Sequence, residues 1–180
     1  MAPNERPNKN ILLTGRPGVG KSTLIARVLT HADVCARGFY TRELRTPAGR
    51  EGFEAITLDG RRVILAHIDL KGPHRVGKYG VAVSRFETEV VPAIQTAYGE
   101  PGELIVIDEI GRMECFSALF RQTVQEALES TARVLGAVGL QNDPFLRTVR
   151  ERRDVSLIEV RRDNRDVLFE RLLRIMEAVD

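Results

Sequence analysis

Eight consecutive residues, Gly15-Arg16-Pro17-Gly18-Val19-Gly20-Lys21-Ser22, satisfy the spacing GxxxxGK[ST] in full. Glycines at these positions let the backbone turn tightly and aim successive N–H groups inward, which is how a peptide chain cradles phosphate oxygens. Lys21 adds a point charge for the outer phosphates of a polyphosphate, and the Ser22 hydroxyl is a ligand for Mg²⁺. The predicted phosphate-binding run is Gly15, Arg16, Pro17, Gly18, Val19, Gly20, Lys21, Ser22 and Thr23. Its glycine order is GxxGxG and not GxGxxG, so a dinucleotide fingerprint is excluded. A second cluster is Leu104-Ile105-Val106-Ile107-Asp108-Glu109, an apolar run that ends in two acids. Asp108, at the carboxyl end of such a strand, is placed to hold Mg²⁺. Glu109 is placed to polarise a water aimed at a terminal phosphate; the alternative is a helix-start carboxylate or a surface ion-pair partner. Lys21 and Glu109 are the candidate catalytic residues, and Ser22 and Asp108 the candidate metal ligands.

These residues need elements to position them. Ile11 to Leu13 reads as a buried strand closed by Gly15, and Ser22 to Leu29 as a helix with Leu24, Ile25, Val28 and Leu29 on one face. Gly38 to Thr41 suggests another strand. Ala55–Leu58 and Arg61–Ala66 flank Asp59-Gly60, which predicts a β-hairpin with a type I′ turn on an edge of the main sheet. The glycine-rich stretch Leu70 to Gly80 reads as a loop or lid. Phe86, Val90, Val91, Ile94, Ala97 and Tyr98 recur at helical spacing, with Pro92 kinking or restarting the helix. Leu104 to Ile107 is short and wholly apolar, as expected of a central parallel strand. A helix through Phe116, Leu119, Phe120, Val124, Ala127 and Leu128 follows, then strands at Val134–Val138 and Val155–Ile158. Asn164 stands where an N-cap belongs, before a stripe of Leu168, Leu172, Ile175, Met176 and Val179. Strands separated by helices predict an α/β sandwich with a mostly parallel sheet and one inserted antiparallel hairpin.

Composition excludes several function classes. The chain has 180 residues, 43% of them hydrophobic and 29% charged, which suits one globular domain spanning 1–180 and excludes wholesale disorder. Lys plus Arg is 27 and Asp plus Glu 25, a net of +2, too balanced for a nucleic-acid or membrane coat. No apolar stretch is long enough to span a bilayer, and Met1 to Asn10 has no apolar core of a secretory signal. Cys35 and Cys115 lie far apart with no metal spacing, so structural thiols in a reducing cytoplasm are expected.

Several stretches carry a resemblance: GRPGVGKSTL (15–24), RGFYTREL (37–44), VGKYGVAV (76–83), LIVIDEIGRMECFSALF (104–120) and NRDVL (164–168). Together they resemble the cancer-related nucleoside-triphosphatase family, also found in thermophilic bacteria and archaea. The resemblance implies a RecA-like P-loop fold and slow, Mg²⁺-dependent hydrolysis of several nucleoside triphosphates to diphosphate and phosphate. It also implies nucleotide contacts along Ile105, Val106, Ile107, Asp108, Glu109, Ile110, Gly111 and Arg112. Two departures stand out. The family usually has Lys at Arg112, and an Ile-Pro pair where this chain reads Leu140-Gln141. Gln141 is either a water-orienting group near the terminal phosphate or a polar loop residue ahead of Asp143-Pro144.

Other candidates remain open between function and scaffold. Arg16 is a further phosphate cation or a solvent-facing position. Arg112 is an arginine finger in cis or a partner of Glu114. Lys78 and Tyr79 either close over a nucleotide or decorate a surface loop. His31, His67 and His74 share no metal spacing. The basic run Arg147, Arg150, Arg152 and Arg153, offset by Glu151 and Asp154, would suit a nucleotide kinase's lid or a solvated helix face. Asp108-Glu109-Ile110-Gly111 fits DxxG, yet no NKxD guanine-reading motif follows it, which weighs against a GTP switch. The expected partner is a nucleoside triphosphate, bound by a monomer with no nucleic acid and no membrane.

Overall fold

Side chains along the apolar strands alternate between two faces, and different helices cover each face. In the computed structural model, which describes residues 8–98 and 103–178, the order begins β1 (Asn10–Thr14), α1 (Lys21–His31), β2 (Ala36–Thr46), β3 (Gly49–Thr57) and β4 (Arg62–His67). It continues β5 (Arg75–Val76), β6 (Tyr79–Val81), α2 (Val83–Glu89), α3 (Pro92–Gln95) and β7 (Leu104–Ile110). The described chain then closes with α4 (Ala118–Glu129), β8 (Arg133–Val138), α5 (Pro144–Arg150), β9 (Val155–Glu159) and α6 (Arg165–Glu177). The described strands form one sheet in the order β5-β6-β4-β3-β2-β7-β8-β1-β9.

Ile11, Leu13, Leu104, Val106, Leu135 and Ala137 pack on one face against Leu24, Ile25 and Val28 of α1 and Leu168, Phe169, Leu172 and Met176 of α6. Leu12, Ile105, Ile107, Val134 and Val138 point the other way, toward Phe86, Ile94, Phe120, Val124, Leu146 and Val149 on α2 to α5. This is a three-layer α/β sandwich. Strands β2, β7, β8, β1 and β9 pair in parallel, whereas β3, β4, β6 and β5 extend the sheet antiparallel. The sheet is therefore mixed, and its antiparallel wing exceeds one inserted hairpin.

Several sequence expectations change here. Strand β2 runs on past Thr41 through charged residues and pairs there with the first half of β3, which starts at Gly49, ahead of the expected Ala55; exposed ion pairs such as Arg50–Glu43 take the place of apolar burial at this outer end. The β3–β4 hairpin lies between β2 and β6, and β5 forms the edge. Its turn is not type I′. Only Gly60 has positive φ, Gly60 N–H donates to Thr57 O at 2.9 Å, and Thr57 N–H donates to Arg61 O at 2.9 Å. That is a turn followed by a left-handed glycine, one residue longer than the two-residue type I′ loop. The 70–80 stretch, read as a loop, carries β5 and β6. Pro92 restarts a helix at its first position, where its missing N–H is harmless. Phe116 lies in a separate 3₁₀ turn, and Ser117 caps α4 by accepting from Phe120 N–H at 2.8 Å. Val179 and the expectation for residues 1–7 lie outside the described residues.

Phe39, Phe86 and Phe120 join the sheet to α2 and α4 through three edge-on contacts, with ring centroids 5.4, 6.0 and 5.2 Å apart. All are essentially unexposed. Phe39→Ala is expected to lower the free energy of unfolding by about 3–5 kcal/mol in urea titrations; a loss under about 1 kcal/mol would show that the cluster does not anchor the two layers.

Candidate active site

Strand β1 ends at Thr14 and α1 begins at Lys21, so residues 15–20 form the connection that motif spacing requires. Gly20 is the residue before the helix, with φ of 103°, a left-handed conformation that a Cβ disfavours. It supplies no side-chain cap, and no acid lies in the first helical turn. The opening N–H groups and the positive end of α1 thus lack the usual compensation from the chain, which favours an anion there. Arg16, Pro17, Gly18, Ser22 and Thr23 are exposed, Val19 is half-buried, and Gly15 and Lys21 are buried.

Lys21 reaches toward β7. Its Nζ donates to Gly15 O at 3.2 Å and lies 3.7 Å from Glu109 Oε2. Around Asp108 and Glu109, β7 bulges, because Ile107 pairs with Gly136 but Ile110 with Val138, three residues opposite two. The Asp108–Glu109 peptide is cis. The fold therefore brings together the residues assigned to catalysis.

Asp108 is completely buried, and neither carboxylate oxygen has a hydrogen-bond partner among the described residues. Burial pushes its carboxyl up to about 7; the Ser22 hydroxyl pulls it down, Glu109 adds to the rise, and Lys21 opposes it. A buried carboxylate whose nearest donor is a single hydroxyl, that of Ser22, is costly unless a cation meets it. With the Ser22 hydroxyl beside it, this hard-oxygen pair fits Mg²⁺, which binds through few protein oxygens, waters and substrate phosphates. No cluster of three His, Cys, Asp or Glu residues suited to a metal occurs among the described residues.

Glu114 was visible in the sequence only as a possible partner of Arg112. Arg112 is instead exposed and makes no ion pair among the described residues, while Glu114 is buried in the 3₁₀ turn. Burial, then the charge of Glu109, pushes the Glu114 carboxyl up to about 8, against the pull of the N–H groups of Glu114 and Gly111. A Cβ on Gly111 would lie 2.8 Å from Glu114 Oε2 and 3.0 Å from Glu109 Oε1, so the glycine leaves room for both carboxyls.

Ile105, Val106, Ile107 and Ile110 are fully buried in the two cores, so their side chains position Asp108 and Glu109 and are not open to a nucleotide. Tyr79 is likewise not a lid residue. It packs edge-on against Phe53 at 5.3 Å and accepts from Arg50 Nε at 3.1 Å, with Lys78 Nζ 5.4 Å from its ring centre. Gln141 folds its amide back toward Gly139. Arg150 donates to Gly139 O, and Arg152 pairs with Asp154 and Glu129. His31 and His74 lie against Phe169 and Phe116, and His67 beside Asp69.

A family profile described as NTPase matches residues 10–173. The chain is 42% identical to a protein named nucleoside-triphosphatase THEP1 from Thermotoga sp. (strain RQ2), over 93% of this chain and 95% of the relative. It is 36% identical to the human protein named cancer-related nucleoside-triphosphatase, over 94% and 97% of the two chains. Among solved structures, the crystal structure of THEP1 from Aquifex aeolicus superposes with a TM-score of 0.86 at 35% identity, covering 93% of this chain and 99% of that one.

The buried Asp108 has a measurable consequence. Its pKa is raised in the folded chain from 3.8 to about 7, so folding is unpenalised below the unfolded value. The penalty accumulates as pH rises from about 4 to above 7, where both states are ionised and the cost is greatest. Without nucleotide and with EDTA present, Asp108→Asn is expected to match the parent near pH 4 and exceed it at pH 8 by on the order of a few kcal/mol. Parallel unfolding curves across that range would dismiss the carboxylate's burial as a source of instability.

Proposed function

The chain belongs to the NTPase family and is a nucleoside-triphosphatase, and from that premise we propose that it slowly hydrolyses ATP, GTP and other nucleoside triphosphates with broad base specificity, at the end of β7 and the 15–23 run. The observation carrying this reading is the meeting of Lys21 and Glu109 at 3.7 Å beside a fully buried, unpartnered Asp108.

The main-chain N–H groups of residues 15–20, Pro17 excepted, and of the start of α1 hold the phosphates, with Lys21 neutralising their outer charge. Ser22 and Asp108 would hold Mg²⁺, which, when bound, draws charge from the phosphate oxygens. Glu109 orients water and takes its proton as the water oxygen bonds to the terminal phosphorus. The phosphorus–oxygen bond to the diphosphate breaks, leaving nucleoside diphosphate and phosphate. In the free chain Lys21 and Glu109 neutralise each other, so an arriving phosphate exchanges one lysine partner for another and releases the carboxylate toward water.

Residues gathered at the cradle match phosphates and metal, and none is placed to read one base's edge, which supports broad specificity. A kinase reading loses support, because Arg150 and Arg152 are engaged within the scaffold. A cytoplasmic monomer acting on free nucleotides, without nucleic-acid or membrane partners, belongs to the same proposal. The free thiols of Cys35 and Cys115 fit a reducing compartment, and no described helix is long and apolar enough to cross a membrane.

Glu109→Gln is expected to keep Mg-ATP affinity within a few-fold while cutting turnover by at least about 10²-fold in a phosphate-release assay. Unchanged turnover would remove Glu109 as the base. Lys21→Ala should weaken both triphosphate binding, read by calorimetry, and hydrolysis; wild-type values for both would remove Lys21 from the site.

A further inference from the structure

The connection from β9 to α6 presses on the phosphate loop. Strand β9 pairs with β1 at Thr14↔Glu159, and Val160 N–H donates to Thr14 O at 2.8 Å. A Cβ on Gly15 would come within 2.6 Å of Val160 O, so the two segments touch where the cradle begins. Asn164 does not cap α6 with its side chain. Instead its Nδ2 donates to Glu159 O at 3.0 Å and its Oδ1 accepts from Arg161 N–H at 2.8 Å, clamping the connection. Helix α6 is also tied to α1, since Arg27 meets Asp166 at 2.8 Å and stacks 3.8 Å from the Phe169 ring centre.

Arg165 opens α6 from this braced position. Its Cδ and Nη1 both lie 3.2 Å from where a Cβ on Gly20 would stand. Arg161 is neutralised by Glu159 and Asp163, and Arg27 by Asp166, whereas the Arg165 side chain, like those of Arg162 and Arg16, has no ion pair or hydrogen bond among the described residues. An exposed guanidinium is thus held over the phosphate cradle without an acid of its own.

Sheet order gives this cation its role. Lys21, pointing at Glu109 on β7, marks the terminal-phosphate end. The order β7-β8-β1-β9 puts Arg165 on the opposite side of the cradle, where a polyphosphate that starts at β7 must emerge with its nucleoside. We propose that Arg165 binds the nucleoside end of the substrate, its guanidinium plane lying against the face of the base. Every base offers a π-face, so this contact holds the nucleoside without choosing among bases. A contact of this kind gives broad base specificity a physical basis. The inference rests on the proposed cradle.

The test compares wild type, Arg165→Ala, Arg165→Lys and Lys21→Ala, measuring KM for ATP, GTP, CTP and UTP and inhibition by Mg²⁺-loaded inorganic tripolyphosphate. Arg165→Ala is expected to raise all four KM values by about tenfold, more than it lowers kcat, and to leave the tripolyphosphate inhibition constant within twofold, about what one lost base stack supplies. Arg165→Lys should stay within about threefold of the alanine variant, because a point charge does not replace the plane. An equal loss for tripolyphosphate, a loss for one base only, full recovery with lysine, or KM values within twofold of wild type would each overturn the assignment. Lys21→Ala separates the two readings: if it weakens triphosphates and tripolyphosphate while Arg165→Ala weakens neither, the cradle stands and Arg165 falls. If Lys21→Ala changes neither ligand, the cradle itself falls.

Discussion

A carboxylate at the end of a buried strand, with neither oxygen hydrogen-bonded, is a burden that folding does not relieve, and Asp108 is such a group. Its neighbourhood is arranged around that deficit. Lys21 and Glu109 stand in contact beside it, Ser22 offers a hydroxyl, and the uncapped start of α1 faces the same space. The protein's charges are thus complementary to something with both signs, a cation bound to a polyanion. The free chain is electrostatically incomplete in the way a magnesium-loaded triphosphate would complete.

Sheet order distributes the work. The glycine-rich 15–20 turn follows β1, the acids end β7, and the β9–α6 connection lies on the far side of β1. Ligands of open α/β sheets gather at the carboxyl ends of the strands, and this order gives such a ligand a direction from β7 toward β9. Core side chains make that direction rigid. Alternate residues of β1, β7 and β8 enter different cores, so no strand can slip by one residue without turning an apolar face outward.

The antiparallel wing has another physical character. Beyond the parallel half, β2 and β3 are joined by a ribbon of charged residues whose ion pairs are exposed, and such pairs contribute little individually. Tyr79 and Phe53 give the wing a small aromatic contact of its own. A loop that looked like a lid is, in part, the strand pair finishing this edge.

The glycine-rich turn before α1, the acid-terminated strand, the helices flanking them and the layering were legible from the residues alone, because each rests on local spacing: glycines before GKS, a short apolar run before two acids, apolar residues at helical period. The charged extensions of β2 beyond Thr41 and of β3 before Ala55 escaped such a reading, because their pairing, and not an apolar pattern, makes them strand. The Asp59-Gly60 turn was found but mistyped, since one glycine with positive φ serves a longer turn as well as a shorter one. Asn164 was legible as a helix start, yet its side chain braces a loop. Tertiary structure alone decided that Glu114 is buried next to Glu109 and that Arg165 lies over Gly20. Residue 165 is 145 positions from residue 20 in the sequence. Only parallel pairing of β9 with β1, closing that separation in space, puts an arginine where the spacing of neither segment could announce it.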